Sequence, residues 1–134
     1  MVNKLDDALR FQQTALTLRA GRQELLAANI ANADTPNFKA RDIDFAGALQ
    51  NALAGTSGKL PVAQTSPAHL EAGTGSSVMG APVLYRRPIQ PTADGNTVDM
   101  DVERAQFADN ALRYEASVKF ISEDIKQIMQ AIQG

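Results

Sequence analysis

Few side chains in this sequence are spaced for chemistry, and each candidate has a plainer reading. His69 is the only histidine and the chain has no cysteine, so neither a thiolate metal site nor a Cys–His catalytic pair is available. The run Asp94-Gly95-Asn96-Thr97-Val98-Asp99 has the outline of a calcium loop. Its sixth position holds Asp99 where glycine is required, and its twelfth holds Ala105 where glutamate is required, which leaves a tight turn instead of an ion site. Asp42 and Asp44 offer a carboxylate pair for glycoside hydrolysis, yet no cleft of stacked aromatics accompanies them, and alternation with helix capping accounts for both. Gly73-Thr74-Gly75 lacks the preceding strand and following helix of a phosphate loop. Asn29 and Asn32 remain: at i, i+3 spacing they share a helix face and present amide donors and acceptors there. The residues predict no enzyme, no metal and no cofactor, so the functional content is surface.

Three stretches must position that surface. Residues 1–54 predict a helix from about Asn3 to Ala33, with Asn3 as N-cap and Asp6 and Asp7 suited to the first turn. Leu5, Leu9, Leu16, Leu26 and Ile30 form one apolar stripe; Ala8, Phe11, Ala15, Leu18 and Leu25 form an adjoining one. Gly21 interrupts the pattern at a cost of about 1 kcal/mol relative to alanine. The helix breaks at Thr35-Pro36-Asn37: Pro36 drives Thr35 out of the helical region, and Asn37 suits a turn position with φ > 0. Asp42 or Asp44 then caps a short helix with Phe45, Leu49 and Leu53 on one face.

Residues 55–97 are rich in Gly, Pro, Ser and Thr. Pro61, Pro67, Pro82, Pro88 and Pro91 exclude a long helix and most central strand positions, leaving an irregular loop with short strands near Val83-Leu84-Tyr85 and at most one weak hairpin, ordered mainly by its neighbours. Residues 98–134 open on alternating Val98, Met100 and Val102, an extended lead-in. Asp99 or Asp101 then caps a helix running to about Ile132. Its stripe of Phe107, Ala111, Tyr114, Val118, Ile121, Ile125, Ile128 and Ile132 recurs at alternating spacings of four and three, a heptad seam that must meet another helix. The predicted fold is mainly α: long N- and C-terminal helices packed as an antiparallel, coiled-coil-like hairpin, joined by the irregular loop in a single domain. The two helices carry more apolar face than a hairpin buries, which describes a subunit that completes its core by assembling. A soluble helical-hairpin adaptor that pairs through the same seam is the alternative.

The string Leu25 to Lys39, and within it Asn29-Ile30-Ala31-Asn32-Ala33-Asp34-Thr35-Pro36-Asn37-Phe38-Lys39, resembles the N-terminal signature of the bacterial flagellar axial proteins of rod, hook and hook–filament junction. The continuation Lys39-Ala40-Arg41-Asp42-Ile43-Asp44-Phe45 and the segment Asp94 to Glu103 are similar to the small proximal-rod members, and favour one of the two over the other. Asn37 stands where most relatives have glycine, and Ala28 where many have a further asparagine. The resemblance covers roughly the first 55 and last 40 residues. It implies a structural subunit of the proximal rod in the periplasm, transmitting torque and lining the axial export channel. The partners it implies are other rod proteins, the ring-to-rod adaptor, the membrane-ring protein and further copies of the chain. The subunit contacts it implies fall at Asn29, Asn32, Thr35, Pro36, Asn37, Phe38 and Lys39, and the seam residues Tyr114, Val118, Ile121, Ile125, Ile128 and Ile132 join them.

Composition narrows the partners further. At 134 residues with a net charge of −2 and scattered basic residues, the chain predicts neither nucleic-acid binding nor attraction to anionic lipid. No stretch of about 18 apolar residues predicts membrane insertion. Met1 to Asp7 does not read as a signal peptide, so the resemblance implies type III export without cleavage.

Overall fold

A computed structural model describes residues 2–55 and 77–134 of the chain. His69, Gly73-Thr74-Gly75, Pro61 and Pro67 lie outside the described residues. The first helix, α1, spans Val2–Ala31. It starts before Asn3, which therefore does not cap it, and it has no acid in its first turn. Its end falls short of Ala33: Asn32 N–H is shared between the Ala28 and Asn29 carbonyls and Ala33 N–H bonds that of Ile30, i to i−3 bonds that close the last turn.

After the turn come strand β1 (Arg41–Asp42) and helix α2 (Phe45–Leu53). Asp44 is the α2 cap, its carboxylate accepting from the Gly47 N–H at 3.3 Å, as the sequence predicts. Strands β2 (Ser77–Val78) and β3 (Ala81–Pro82) form an antiparallel hairpin, and β4 (Leu84–Tyr85) pairs antiparallel with β1, Arg41 opposite Tyr85. The hairpin turns through Met79 and Gly80 at φ 51° and 80°, the double positive φ of a type I′ turn.

The last helix, α3, spans Met100–Gln133. Asp99 caps it, accepting from the N–H groups of Asp101 and Val102 at 3.1 and 3.4 Å. The alternation at Val98, Met100 and Val102 is therefore not an extended lead-in: the cap starts the helix at Met100. Asp101 and Glu103 fall in its first turn, where negative charge suits the exposed N–H groups.

α1 and α3 run antiparallel. Asn29 bonds Glu103 near one end, and Leu5 and Leu9 face Ile128 and Ala131 near the other. On its other side α1 carries α2 and the hairpin. Leu18, Leu25, Ile43, Ala48 and Ala81 make the buried core there, with Phe45, Leu49, Val78 and Val83 packed against it. Gly21 belongs to this contact: a Cβ there would stand 2.2 Å from Val78 Cγ1, so the hairpin sits where only a glycine helix surface admits it.

The α3 seam is placed differently from the simplest heptad reading. The α3 residues fully buried against α1 are Glu103 and Asn110, and the apolar seam lies to one side of them. Phe107, Ala111, Ile121 and Ile128 are half-buried, while Tyr114, Val118 and Ile125 are 36, 40 and 44% exposed and Ile132 is 80% exposed. The helices thus meet partly on polar groups and leave much of the isoleucine stripe open.

Candidate functional site

The strings at the two ends of the chain that carry the axial-protein resemblance form one structure. Thr35-Pro36-Asn37-Phe38 is a turn closed by Phe38 N–H to the Thr35 carbonyl at 3.3 Å, with Asn37 at φ 60° as the type II pattern needs. The loop 92–97 binds it from the far end of the sequence. Asn37 N–H donates to the Asp94 carbonyl at 2.9 Å, Thr97 N–H to the Phe38 carbonyl at 3.0 Å, and Ala40 N–H to Thr97 Oγ1 at 2.8 Å. Lys39 Nζ reaches the Gly95 carbonyl. Gly95 has φ 73°, a conformation that favours glycine, and a Cβ on it would stand 2.7 Å from Asn37 Oδ1 and displace that side chain.

Asn96 is the centre of this union. It is 3% exposed, and its Nδ2 donates to the carbonyls of Asn32, Ala33 and Thr35 at 3.0, 2.8 and 2.8 Å. Those are carbonyls of the turn that follows α1, two of which, Asn32 and Thr35, also accept the N–H groups of Thr35 and Phe38. Its Oδ1 accepts from Val98 N–H at 2.8 Å. Asp94 Oδ1 accepts from Asn96 N–H at 3.1 Å, an Asx turn that aims the amide. The segment Asp94–Asp99 is thus the tight turn that the sequence predicts, and beyond that a cap for a distant helix.

The two signature asparagines do different work. Asn32 Nδ2 satisfies the Ala28 carbonyl of its own helix at 2.8 Å, and its Oδ1 accepts from Thr35 Oγ1. Asn29 is fully buried: it pairs with the Arg41 backbone through both ends of its amide, at 2.7 and 3.0 Å, and donates to Glu103 Oε2 at 3.1 Å. Its amide is spent inside the subunit. Thr35, Pro36, Asn37 and Lys39 are exposed and Phe38 is half-buried.

Beside Asn29 lies a cluster of alternating charge that sequence reasoning missed. Arg22 grips Asp42 with two nitrogens at 2.9 and 3.0 Å and also donates to Gln106 Oε1 at 3.0 Å. Arg86 bridges Asp42, at 2.6 Å, and Glu103. Asp42 is therefore neither a cap nor a catalytic acid but the joint between two arginines. Burial alone would raise its pKa; the Arg22 hydrogen bond and charge, with Arg86, outweigh that and hold it below the ordinary carboxylate value. Burial dominates at Glu103 and pushes its pKa up against the pull of Asn29 and Arg86. The cluster ties α1, β1, the chain after β4, and α3 into one unit. One signal was available: Glu103, Asn110, Ser117 and Asp124 recur every seventh residue, a polar ridge beside the apolar seam.

Among the described residues no group of three or more His, Cys, Asp or Glu side chains is arranged to hold a metal ion, and no helix is long and apolar enough to cross a membrane. What the arrangement supports is a turn laced to the loop 92–97 at one end of the helix pair, with the open part of the apolar seam running from Tyr114 toward the other end. A family model described as flagella basal body rod protein matches residues 9–39. The chain is 51% identical to the flagellar basal body rod protein FlgB of Salmonella typhimurium and 52% identical to that of Escherichia coli, in both cases covering 100% of this chain and 99% of the relative. It is 46% identical to that of Cereibacter sphaeroides over 96% of this chain and 95% of the relative. The chain belongs to the FlgB family of flagellar basal body rod proteins and is a structural subunit of that rod.

Proposed function

We propose that the chain stands in the proximal rod in the periplasm, carries torque from the membrane ring, and helps wall the axial export channel. Its neighbours are further copies of itself, other rod proteins and the ring-to-rod adaptor, and it arrives by type III export. It works by contact and catalyses nothing. The observation that carries this reading is the open seam: Val118, Ile125 and Ile132 lie on one face of a long helix and remain 40 to 80% exposed. Exposed apolar rows of that length mark interaction surfaces. A shallow apolar groove of about 440 Å³ continues the same face, between Ala20 and Ala27 of α1 and Phe107, Ala111 and Tyr114 of α3. The signature contacts then fall on the exposed side chains of Thr35, Pro36, Asn37 and Lys39, with Phe38 behind them. Asn29 and Asn32 hold those residues in shape. A strain lacking the gene tests this: the expected result is membrane rings without rods or filaments. Normal filaments in that strain would overturn it.

A further inference from the structure

The face shared by the apolar groove and the isoleucine seam has two unlike halves. Toward the start of α3 it is hollow: small side chains, Ala20 and Ala27 of α1 and Ala111 of α3, line the groove of about 440 Å³ together with Phe107 and Tyr114. Toward the end of α3 it stands proud, with Ile125, Met129 and Ile132 44, 52 and 80% exposed. Charge on the flank of this face is divided in the same way. Glu115 lines the groove, and Lys126 lies eleven residues further on, three turns along α3 and on the same side. Both are exposed. Among the described residues Lys126 pairs with Glu123 of its own helix, a surface contact of small worth.

We propose that the chain, before it enters the rod, pairs face to face with a second copy of itself, the two α3 helices antiparallel about a two-fold axis beside Ile121. Hollow then meets ridge twice. Ala111 lies about as far before that axis as Met129 and Ile132 lie beyond it, so the two large side chains of each copy enter the groove of the other. The same operation sets Glu115 of each copy beside Lys126 of the other, because a two-fold contact is reciprocal and like flanks meet in an antiparallel helix pair. The face is large enough. From Phe107 to Ile132 it is roughly 38 Å long and two helices wide, a footprint of roughly 700 Å² per copy, close to the ~800 Å² of a standard interface. A two-fold pair closes on itself, whereas a rod grows by contacts that repeat head to tail. The pair is thus a waiting state that covers the seam until assembly takes it.

The waiting role rests on the rod-subunit reading; the pairing is measured apart from it, by sedimentation of the purified full chain from about 1 to about 300 μM. The expected species is a dimer that dissociates on dilution and grows no further. Glu115→Lys and Lys126→Glu each set like charges opposite one another twice, so each is expected to weaken the dimer about tenfold. Their equimolar mixture turns every like pair into an opposite one and is expected to dimerise as the wild-type chain does. That rescue also shows both variants to be folded. A monomer at every concentration overturns the pairing and leaves the groove to a different subunit. Assemblies that lengthen with concentration overturn the two-fold geometry, since the contact is then head to tail. Single variants that pair as tightly as the wild-type chain, or a mixture no tighter than either alone, overturn the register. Swimming by a strain lacking the gene overturns the waiting role, with the rod reading, while a dimer seen by sedimentation stands.

Discussion

Asn96 concentrates the chemistry of the turn in one amide. Its Nδ2 faces three carbonyls, from Asn32, Ala33 and Thr35, at a position shut off from water. The Asn32 and Thr35 carbonyls keep backbone donors, so removing the amide leaves the Ala33 carbonyl and the Val98 N–H to lose their bonds, at about 1–3 kcal/mol for each group left buried. Asn96→Ala is therefore expected to cost about 2–3 kcal/mol in urea unfolding. Asn96→Asp keeps the shape but turns an acceptor toward those carbonyls, so it is expected to cost more than alanine at neutral pH. Equal or smaller loss for the aspartate would mean the amide is not the donor described. At this scale the sequence was partly legible. Asn37 reveals its positive φ because a Pro-Asn turn is a local pattern; each helix cap was narrowed to two acids, and the structure selects Asp44 over Asp42 and Asp99 over Asp101. Asn96 read only as part of a tight turn, because the carbonyls it serves lie more than 60 positions away.

Elements were legible where one periodicity governs a long run, and less so where packing decides. The two long helices follow from their apolar stripes, and β4 from the Val83-Leu84-Tyr85 patch. Strand β1 is two residues long and exists because β4 and Asn29 bond its backbone, a contact no local pattern encodes. The charge cluster escaped notice likewise: Arg22, Asp42, Arg86 and Glu103 come from four separate segments, and Asp42 alone reads as a candidate cap. Gly21 is the instructive case. A glycine inside a helix ordinarily gains about 1 kcal/mol of stability on change to alanine. Here the added methyl meets Val78, a stiff β-branched side chain. Gly21→Ala is expected to destabilise, and pairing it with Val78→Ala to recover part of the loss. A coupling of about 1 kcal/mol in a double-mutant cycle is the expected size, and additive effects would show that the hairpin does not press on this helix.

At the scale of the molecule, the chain divides its surfaces by what completes them. The α1–α2–hairpin side closes on itself through Leu18, Leu25, Ile43 and Ala48. The α1–α3 side closes on Asn29, Glu103 and Asn110, leaving the isoleucine seam aside and half open. The predicted antiparallel pair of long helices is what the structure has, and the excess apolar face expected from the sequence is there too. The sequence could not say which residues of α3 meet α1. A heptad of apolar residues normally marks the contact itself, and here a polar heptad one step around the helix takes that place.

The central claim, that other subunits complete the seam, is tested most directly by Ile125→Asp measured twice, in the isolated chain and in the rod. Ile125 is 44% exposed, so in the isolated chain the change is expected to cost no more than about 1 kcal/mol in urea unfolding. In a strain lacking the native gene it is expected to abolish rod assembly and swimming, because a charge is then buried between subunits. Lys126→Ala is the control. Among the described residues its side chain pairs with Glu123 alone and is 65% exposed, so near-normal swimming is expected. Wild-type swimming with Ile125→Asp would contradict the account, since the seam would then face nothing but solvent in the assembled rod.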